Sequence, residues 1–396
     1  MKLELNRSEF LKAWQVAERS CNTKSTVSAI SGILITALDE KVILEATDFK
    51  TAVRCAAGGV KVLASGSAVL PVRLLGEFLK KISADTVTLE INSERGVLTA
   101  GRNRMRFSTF PTSEFPDIPR SEGASKLCSV LTADLVKVIG EGSIASSTPA
   151  DFPKYLGACF IKIKDGLLSV VSTDSKRLSL SKCPCECEAE EELLLPVPAL
   201  KELSRLAASG SQEFRVQLLN DGSTVWFDLE GVEFSIRRVE SSFPNYEKIL
   251  TSDVSTTLRI RRDEILPALE RVDIIAKNTA SHVAALQISP GGDLKISVKA
   301  SDFGTVLEVL SASVEGDPLQ VGFNVSYLQD GLKALSSGEA IIQFNGGVGQ
   351  TRILQEGMDN FLYMLMPAMI NPQDLLEGDE EQDDEEQDSG DQADPE

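Results

Sequence analysis

One short sequence pattern occurs three times in this chain of 396 residues. The segments VILEATDFKTAV, LSVVSTDSKRLS and ISVKASDFGTVL align on Asp48, Asp174 and Asp302, with offsets of 126 and 128 residues. In each copy apolar residues alternate over the positions before the aspartate, as is typical of a half-buried β-strand. The spacing is far longer than the roughly 20–50 residues of solenoid repeats, so the pattern predicts three similar domains.

Helices and hairpins recur at the same spacing. Each copy of the pattern is preceded by another apolar run and a turn-rich loop, which predicts a β-hairpin. A second amphipathic segment begins at Pro71, Pro196 and Asn324, at intervals of 125 and 128 residues. Proline is well tolerated in the first turn of a helix. We therefore expect each unit to contain a helix, strands, a second helix and more strands.

The predicted fold class is α+β, with three tandem copies of one domain that is itself a duplicated helix-plus-sheet motif. We expect domains at 1–124, 125–251 and 252–370. Residues 371–396 carry 13 Asp or Glu and no Lys or Arg, which predicts a disordered acidic tail. Without this tail the net charge of −19 becomes −6, so the folded body is only mildly acidic.

The sequence shows no apolar run of about 18 residues and no signal-peptide core, so we expect a cytoplasmic protein with no membrane association. Seven scattered cysteines fit reduced thiols better than a disulfide framework. Cys183, Cys185 and Cys187 are close enough in sequence for a zinc site, but the only histidine, His282, is far away. We therefore expect no metal and no cofactor.

Catalytic motifs are missing from the sequence. A single histidine nearly excludes Ser-His-Asp and Cys-His catalysis, and there is no GxxxxGK[ST] loop and no HExxH motif. The repeated aspartates are better explained as side chains that satisfy backbone groups where a strand ends. A metal-dependent hydrolase on triplicated domains stays open as an alternative, and a cleft that gathers Asp48, Asp174 or Asp302 would favour it.

Basic residues recur on single faces of the predicted helices. Arg73 and Lys80 lie seven positions apart, and Lys201 and Arg205 four apart, which places each pair on one helical face. For any single helix, a solvated face is the simpler explanation. Together, the helices indicate a positive surface on a mildly acidic body. No helix-turn-helix or zinc finger occurs, so nucleic-acid contact would be with phosphates and independent of base sequence.

Several segments resemble the bacterial DNA polymerase III beta subunit, the sliding-clamp family. The resemblance covers about residues 1–370, and its most specific segments are TDSKRL, EFPDIP, SSFPNYEKIL, VGFNVSYLQDGLKAL and YMLMPAMI. It implies a head-to-tail homodimer whose six domains form a ring around duplex DNA, with helices lining the hole. The chain would then be a non-catalytic processivity factor that binds the clamp loader, the replicative polymerase alpha subunit and other proteins with a clamp-binding motif.

The resemblance also implies roles for individual residues. Those expected to contact DNA, including two added from helix faces, are Lys24, Arg73, Lys154, Tyr155, Lys201 and Lys277. Those expected at the dimer interface, each also compatible with the core of its own domain, are Met105, Phe107, Ile274 and Ile275. The family often has an Arg-Lys pair where this chain has Val197-Pro198, which weakens the second domain as a DNA site.

The repeated turn differs in the second copy. Phe49 and Phe303 follow the aspartates of the first and third copies, as expected for core-facing hairpins, whereas Ser175-Lys176-Arg177 follows Asp174. In the family this segment borders a pocket for short peptides, and cations at its rim would meet polar or acidic peptide groups. The residues that the resemblance places in this pocket are Leu156, Thr173, Ser175, Lys176, Arg177, Leu178, Pro244, Lys248, Ile249, Met364, Met366, Pro367 and Ala368.

Two departures from the family pattern fall in this pocket. Clamps commonly have Gly-His where this chain has Ser175-Lys176, and they commonly end in Met-Pro-Met-Arg-Leu where it has MPAMI. We expect the pocket to persist with a changed peptide preference. A peptide-binding scaffold without a ring is the alternative. The acidic tail has no counterpart in most clamps, and it either screens the pocket or the hole electrostatically or acts only as a solubilising appendage.

Overall fold

The computed structural model describes residues 1–147, 152–250, 253–300 and 302–370. The acidic tail expected at 371–396 lies outside the described residues. The chain forms two compact units. The first consists of Met1–Ser252 with Arg352–Leu365, and the second of Asp253–Thr351 with the residues from Met366 onward.

One order of elements occurs three times in the described residues: a strand, a helix, five strands, a second helix and three strands. The first repeat contains β1 (Lys2–Asn6), α1 (Arg7–Glu18), β2 (Gly32–Leu38), β3 (Lys41–Thr47), β4 (Thr51–Ala56), β5 (Val60–Ala64), β6 (Gly66–Pro71), α2 (Val72–Lys81), β7 (Thr86–Asn92), β8 (Arg95–Ala100) and β9 (Asn103–Ser108).

The other two repeats follow the same order. The second contains β10 (Ser125–Leu131), α3 (Thr132–Gly142), β11 (Ala158–Lys164), β12 (Leu167–Thr173), β13 (Arg177–Pro184), β14 (Glu186–Cys187), β15 (Glu191–Pro196), α4 (Val197–Ala208), β16 (Arg215–Asn220), β17 (Thr224–Asp228) and β18 (Val232–Arg237). The third contains β19 (Thr256–Arg261), α5 (Arg262–Ala276), β20 (Val283–Ser289), β21 (Asp293–Ala300), β22 (Gly304–Ser311), β23 (Ser313–Gly316), β24 (Leu319–Asn324), α6 (Val325–Ala334), β25 (Glu339–Phe344), β26 (Thr351–Gln355) and β27 (Met358–Leu365). The predicted α+β class and its triplication are confirmed.

Local sequence explains the individual elements. Along β2 the alternating Ile33, Ile35 and Ala37 are buried, because successive side chains of a strand point to opposite faces. On α1 the helical spacing puts Phe10 and Trp14 on one buried face, and Trp14 Nε1 donates a hydrogen bond to the Val72 carbonyl at the start of α2. The two helices of each repeat thus pack together over strands.

The strand order of the first unit joins consecutive repeats. One sheet has the order β5-β1-β7-β8-β9, and a second runs β14-β10-β16-β17-β18-β4-β3-β2-β6. The second sheet spans two repeats because β18 pairs antiparallel with β4, with Val232 opposite Cys55. A third sheet includes the run β15-β11-β12-β13-β27, in which Ser181 lies opposite Phe361. The last of the described strands therefore completes a sheet of the second repeat.

In the second unit, one run of strands is β25-β19-β23 and another is β22-β21-β20-β24. Helix α5 packs on β21 and β22, with Ile265, Leu269 and Val272 buried. None of the helices within the described ranges is long and apolar enough to cross a membrane.

Candidate functional site

The turn between β12 and β13 is held by its own side chains. Asp174 Oδ1 accepts hydrogen bonds from the backbone N–H groups of Lys176 and Arg177, each at 3.0 Å. Thr173 Oγ1 accepts one from the Ser175 N–H and donates one to the Arg177 carbonyl. Ser175 takes a φ of +74° in this turn. The interpretation of the repeated aspartate as a side chain that satisfies the backbone is confirmed here.

The first repeat contains the same turn. Asp48 Oδ1 accepts hydrogen bonds from the N–H groups of Lys50 and Thr51, and Phe49 takes a φ of +70°. Phe49 is 53% exposed and Phe303 is 57% exposed. The expectation that these aromatic residues face the core was wrong, because the residue after the aspartate lies at the tip of the turn and faces solvent.

Arg177 is buried instead of facing solvent. Its Nε donates to Asp174 Oδ2 at 2.9 Å, and the two side chains are 9% and 7% exposed. Its Nη1 donates to the Tyr363 hydroxyl on β27 at 3.2 Å. The expectation of two cations at a pocket rim was therefore wrong for Arg177, whose charge is already paired inside the protein. Lys176 is exposed.

Apolar side chains from distant parts of the chain form a cluster behind this turn. We name it the Leu178 cluster; its buried members are Val171, Leu178, Leu180, Tyr246 and Met364. Strand pairing places Leu178 directly opposite Met364. Phe160 and Phe243 pack against the cluster, and their rings stack with 5.1 Å between centroids. Methionine and aromatic side chains can adapt to an apolar peptide anchor.

Some of the predicted pocket residues lie in this cluster or in the turn beside it. Leu178 and Met364 are members of it, and Thr173, Ser175 and Lys176 form the adjacent turn. Leu156, 9% exposed, lies in a short 3-10 helix at Lys154–Gly157.

Three more predicted residues lie in the segment around Tyr246. Pro244 and Lys248 are exposed, and Ile249 is 48% exposed. Lys248 and Ile249 belong to a 3-10 helix, Tyr246–Ile249, whose first residue is part of the Leu178 cluster.

The last three predicted residues belong to the second unit. Met366, Pro367 and Ala368 directly follow β27 in sequence, and the Ala368 N–H donates to the Gly322 carbonyl at 2.8 Å. Met366 is 49% exposed.

Sequence reasoning missed several residues of the site. Val171 and Leu180 lie on strands whose alternation marks them only as buried, so nothing local distinguished them from other core residues. Tyr246 lies in the SSFPNYEKIL segment but had no assigned role. Tyr363, the partner of Arg177, could be found only from the pairing of β13 with β27.

A cavity of about 440 Å³ adjoins the Leu178 cluster; it is lined by Tyr246 of the cluster and by Phe160 and Phe243, which pack against the cluster. Lys162 lines the cavity, and its Nζ lies 2.6 Å from Glu247 Oε1. This hydrogen bond lowers the pKa of Glu247 and raises the pKa of Lys162. The aromatic wall and the paired charges give the cavity both apolar and polar surface.

The cations expected to contact DNA are exposed, and none forms an ion pair with another residue in the described part of the chain; they are Lys24, Arg73, Lys154, Lys201 and Lys277. Other cations of the same helices are neutralised: Lys80 lies 3.8 Å from Glu18 and 3.7 Å from Glu77. Tyr155 is half-buried and packs edge-on against Phe243. Exposed cations without an ion pair, such as these five, can contact a phosphate.

The residues expected at a dimer interface fall into two groups. Phe107, on β9, is 7% exposed and packs in the core of its own domain, where its ring leaves room only for a glycine at position 96. Met105 is half-buried on the same strand. On α5, Ile274 is 57% exposed and Ile275 is half-buried. For Phe107, the core alternative that the sequence left open describes its position.

No three His, Cys, Asp or Glu side chains within the described ranges are placed to hold a metal ion. The repeated aspartates Asp48, Asp174 and Asp302 therefore form no such metal-binding group within these ranges. Asp48 and Asp174 bind backbone groups instead.

Comparison with known proteins finds the same three-part organisation. Models of the N-terminal, central and C-terminal domains of the DNA polymerase III beta subunit match residues 1–119, 129–245 and 247–369. The beta sliding clamp of Synechocystis sp. is 26% identical over 391 residues, which cover 93% of this chain and 100% of the relative. That of Bacillus subtilis is 24% identical and covers 93% of this chain and 99% of its own.

Solved structures share the fold. The sliding clamp of Bacillus subtilis has a TM-score of 0.88 and 22% identity, and the match covers 94% of this chain and 100% of that one. The beta subunit of Thermotoga maritima has a TM-score of 0.86 and 24% identity, covering 93% and 100%. Because all three family domains match in order along a threefold repeat, the chain belongs to the DNA polymerase III beta subunit family, the non-catalytic sliding clamps of DNA replication.

Proposed function

We propose that two copies of this chain close head to tail into a ring of six domains around duplex DNA. We further propose that the ring tethers the replicative polymerase alpha subunit, the clamp loader and other partners through the Leu178 cluster. Its place of action would be the cytoplasm, where the chromosome is.

The proposed ring rests on one observation, namely which strand pairs with the last strand of each repeat. In the second repeat this strand, β18, pairs with β4 of the first, and in the third repeat it is β27, which pairs with β13 of the second. The corresponding strand of the first repeat, β9, has only β8 as a neighbour among the described strands. The third-repeat counterpart of β4 and β13 is β22, which likewise has only β21 beside it within the described residues.

Pairing β9 of one protomer with β22 of another would repeat the junction that already joins consecutive repeats. Such a contact is heterologous, and it closes when the rotation per repeat adds up to a full turn. In a ring of two chains, each β9 edge would pair with the β22 edge of the other chain. No strand edge of this kind would then stay open for uncontrolled pairing. Met105 lies on β9, while Ile274 and Ile275 lie on α5, which packs on β22, so these residues remain candidates for the contact.

Attraction between unpaired cations and phosphates would hold the DNA. Arg73 and Lys201 lie on the second helix of the first and second repeats, three positions apart when the two helices are aligned on Pro71 and Pro196. Phosphate contacts carry no base information, so the ring can move along any sequence, and the strength of such contacts falls as salt rises. Retention would then come from closure of the ring and not from tight adhesion.

A short linear motif suits the Leu178 cluster. Leucine or phenylalanine anchors could fill its apolar surface, with the half-exposed Ile249 at one side. The exposed Lys176 and Lys248 could attract acidic residues of the motif. Because Arg177 is held by Asp174 and Tyr363, it would order the turn and would not bind the peptide directly.

Topological retention on DNA tests this proposal. The protein is loaded by a clamp loader onto a nicked circular plasmid, and the DNA fraction is isolated by gel filtration before and after one restriction cut. We expect the clamp to stay with circular DNA, to leave after linearisation, and to show twice the chain mass of 42.8 kDa by light scattering. Equal retention on linear DNA would contradict the ring.

A further inference from the structure

The structure brings a fourth cysteine to the Cys183, Cys185 and Cys187 segment. Cys128, on β10, is fully buried, and the other two inner thiols, Cys183 and Cys185, are 6% and 9% exposed. Cys187 is half-buried at the end of β14, the two-residue edge strand of its sheet, and its thiol donates to the Ala189 carbonyl. The group therefore has one thiol that solvent can reach and three that lie inside.

Strand register places Cys187 directly opposite Cys128. The Glu188 N–H donates to the Leu127 carbonyl at 2.8 Å, one residue further along each strand. In an antiparallel ladder this bond makes Cys128 and Cys187 a non-hydrogen-bonded pair, whose Cα atoms are about 4.5 Å apart and whose side chains are closer than in the other pair type. That separation lies within the range of roughly 4.4–6.8 Å that a disulfide needs.

The inner thiols differ in their electrostatic surroundings. A hydrogen bond with Cys185, followed by burial, raises the pKa of Cys128, and the same bond lowers the pKa of Cys185. Cys128 therefore stays a neutral thiol at physiological pH. Because Cys128, Cys183 and Cys185 are all buried and Cys187 is not, a reaction with an oxidant in solvent would begin at Cys187.

We propose that Cys187 and Cys128 form a redox modification site, in which a reversible cross-strand disulfide forms when the protein reacts with a peroxide. The bond would fasten the short edge strand β14 to β10. This site is separate from the proposed peptide and DNA contacts, and no part of the proposal depends on them.

The chemistry balances with one molecule of hydrogen peroxide. The Cys187 thiolate attacks one peroxide oxygen, the O–O bond breaks, and the departing hydroxide is protonated to water, which leaves a sulfenic acid on Cys187. The Cys128 sulfur then attacks the Cys187 sulfur, the S–O bond breaks, and the leaving hydroxyl takes the Cys128 proton as a second water. Two thiols are oxidised to one disulfide, and a dithiol reductant reverses the step.

Counting thiols and mapping peptides after treatment with hydrogen peroxide tests the proposal. The full-length protein has seven cysteines, all free. After brief exposure we expect five titratable thiols in denaturant and a tryptic peptide pair joined through Cys128 and Cys187, both reversed by dithiothreitol. Seven remaining thiols, or a bond that joins Cys128 to Cys185, would overturn it.

Two variants make the result specific. Cys187→Ser should keep all six of its remaining thiols under the same exposure. The matched control is Cys21→Ser, because Cys21 is also half-buried but its thiol lies against the Ala17 and Gly32 carbonyls. This control should still lose two thiols. If Cys187 instead ends as sulfinic acid while Cys128 stays free, the proposal fails. Circular dichroism confirms that each variant is folded.

Discussion

Arg177 and Tyr363 lie 186 positions apart in the chain and are joined by a hydrogen bond of 3.2 Å from the guanidinium Nη1 to the phenol oxygen. Arg177 is also paired with Asp174, so this contact ties the turn after β12 to the last strand of the chain. The turn and that strand flank the Leu178 cluster. A structural ion pair therefore lies where the sequence suggested a charge for binding peptides.

Asp174→Asn should destabilise the protein and weaken peptide binding. The change removes the counter-charge of a buried guanidinium, and breaking a buried ion pair costs about 3–5 kcal/mol. We expect a lower midpoint of urea unfolding and a larger Kd for a motif peptide. Asp48→Asn is the matched control, because it keeps the same turn bonds but has Thr51 where Arg177 stands. Equal losses in both variants would contradict a role for the ion pair.

Arg73→Ala and Lys201→Ala should weaken DNA binding more than Lys80→Ala. Lys80 is already paired with Glu18 and Glu77, whereas Arg73 and Lys201 have no ion pair within the described residues. Each lost phosphate contact should reduce the slope of log K against log salt by about one. Fluorescence anisotropy over a salt series measures this slope. Identical slopes for all three variants would argue against these two contacts.

Arg106→Pro should prevent formation of the proposed dimer and leave monomers. The Thr109 N–H donates to the Glu94 carbonyl, so by the alternation of the ladder the Arg106 N–H points away from β8 toward the open edge of β9. Proline removes this donor and leaves the bonds to β8 in place. Light scattering should then report the mass of one chain.

Arg106→Ala is the control for this change, since it removes the side chain and keeps the N–H group. It should remain a dimer, and circular dichroism should show both variants folded. A dimer that survives Arg106→Pro would exclude β9 pairing as the contact.

Glu141→Gln should change how stability depends on pH. Burial raises the pKa of the Glu141 carboxyl above its ordinary value of 4.5, and the hydrogen bond from Ser181 offsets only part of this. The folded state thus binds the proton more tightly than the unfolded state. The contribution of the Glu141 carboxyl to the unfolding free energy is fully present below pH 4.5 and is lost as the pH rises through the raised pKa.

Measured against Glu141→Gln, the natural chain should therefore lose relative stability as the pH rises above 4.5. Glu247→Gln provides a comparison of opposite sign, because the hydrogen bond from Lys162 lowers the pKa of Glu247. The contribution of Glu247 is present above pH 4.5 and is lost as the pH falls through the lowered pKa. Urea unfolding at several pH values distinguishes the two, and curves of the same sign would contradict these assignments.

Ending the chain after Ile370 should strengthen its association with DNA and with acidic peptides at low salt. The 26 removed residues carry 13 negative charges, and the net charge changes from −19 to −6. Screening removes a long-range electrostatic effect at high salt, where both chains should bind alike. Titration calorimetry at two salt concentrations measures the difference. If affinity is unchanged at both, the tail serves only as a solubilising appendage.

The repeated architecture and the geometry of its turns can be predicted from the order of residues alone. Strand alternation, helix spacing and the Thr-Asp turn are local properties, because they depend on residues within a few positions of one another. Three copies in register then fixed the α+β class and the order of elements. The hydrogen bonds of the Asp174 turn follow from these local properties, as the sequence predicts.

Which distant strands pair, and which side chains this pairing buries, is seen only in the folded chain. Pairing of β27 with β13 buries Arg177 beside Tyr363, and pairing of β14 with β10 brings Cys187 to Cys128. No residue near Arg177 in the sequence indicates that its hydrogen-bond partner lies 186 positions away. Pairing between distant strands depends on how whole repeats pack, and that information is spread over the core instead of residing in any one segment.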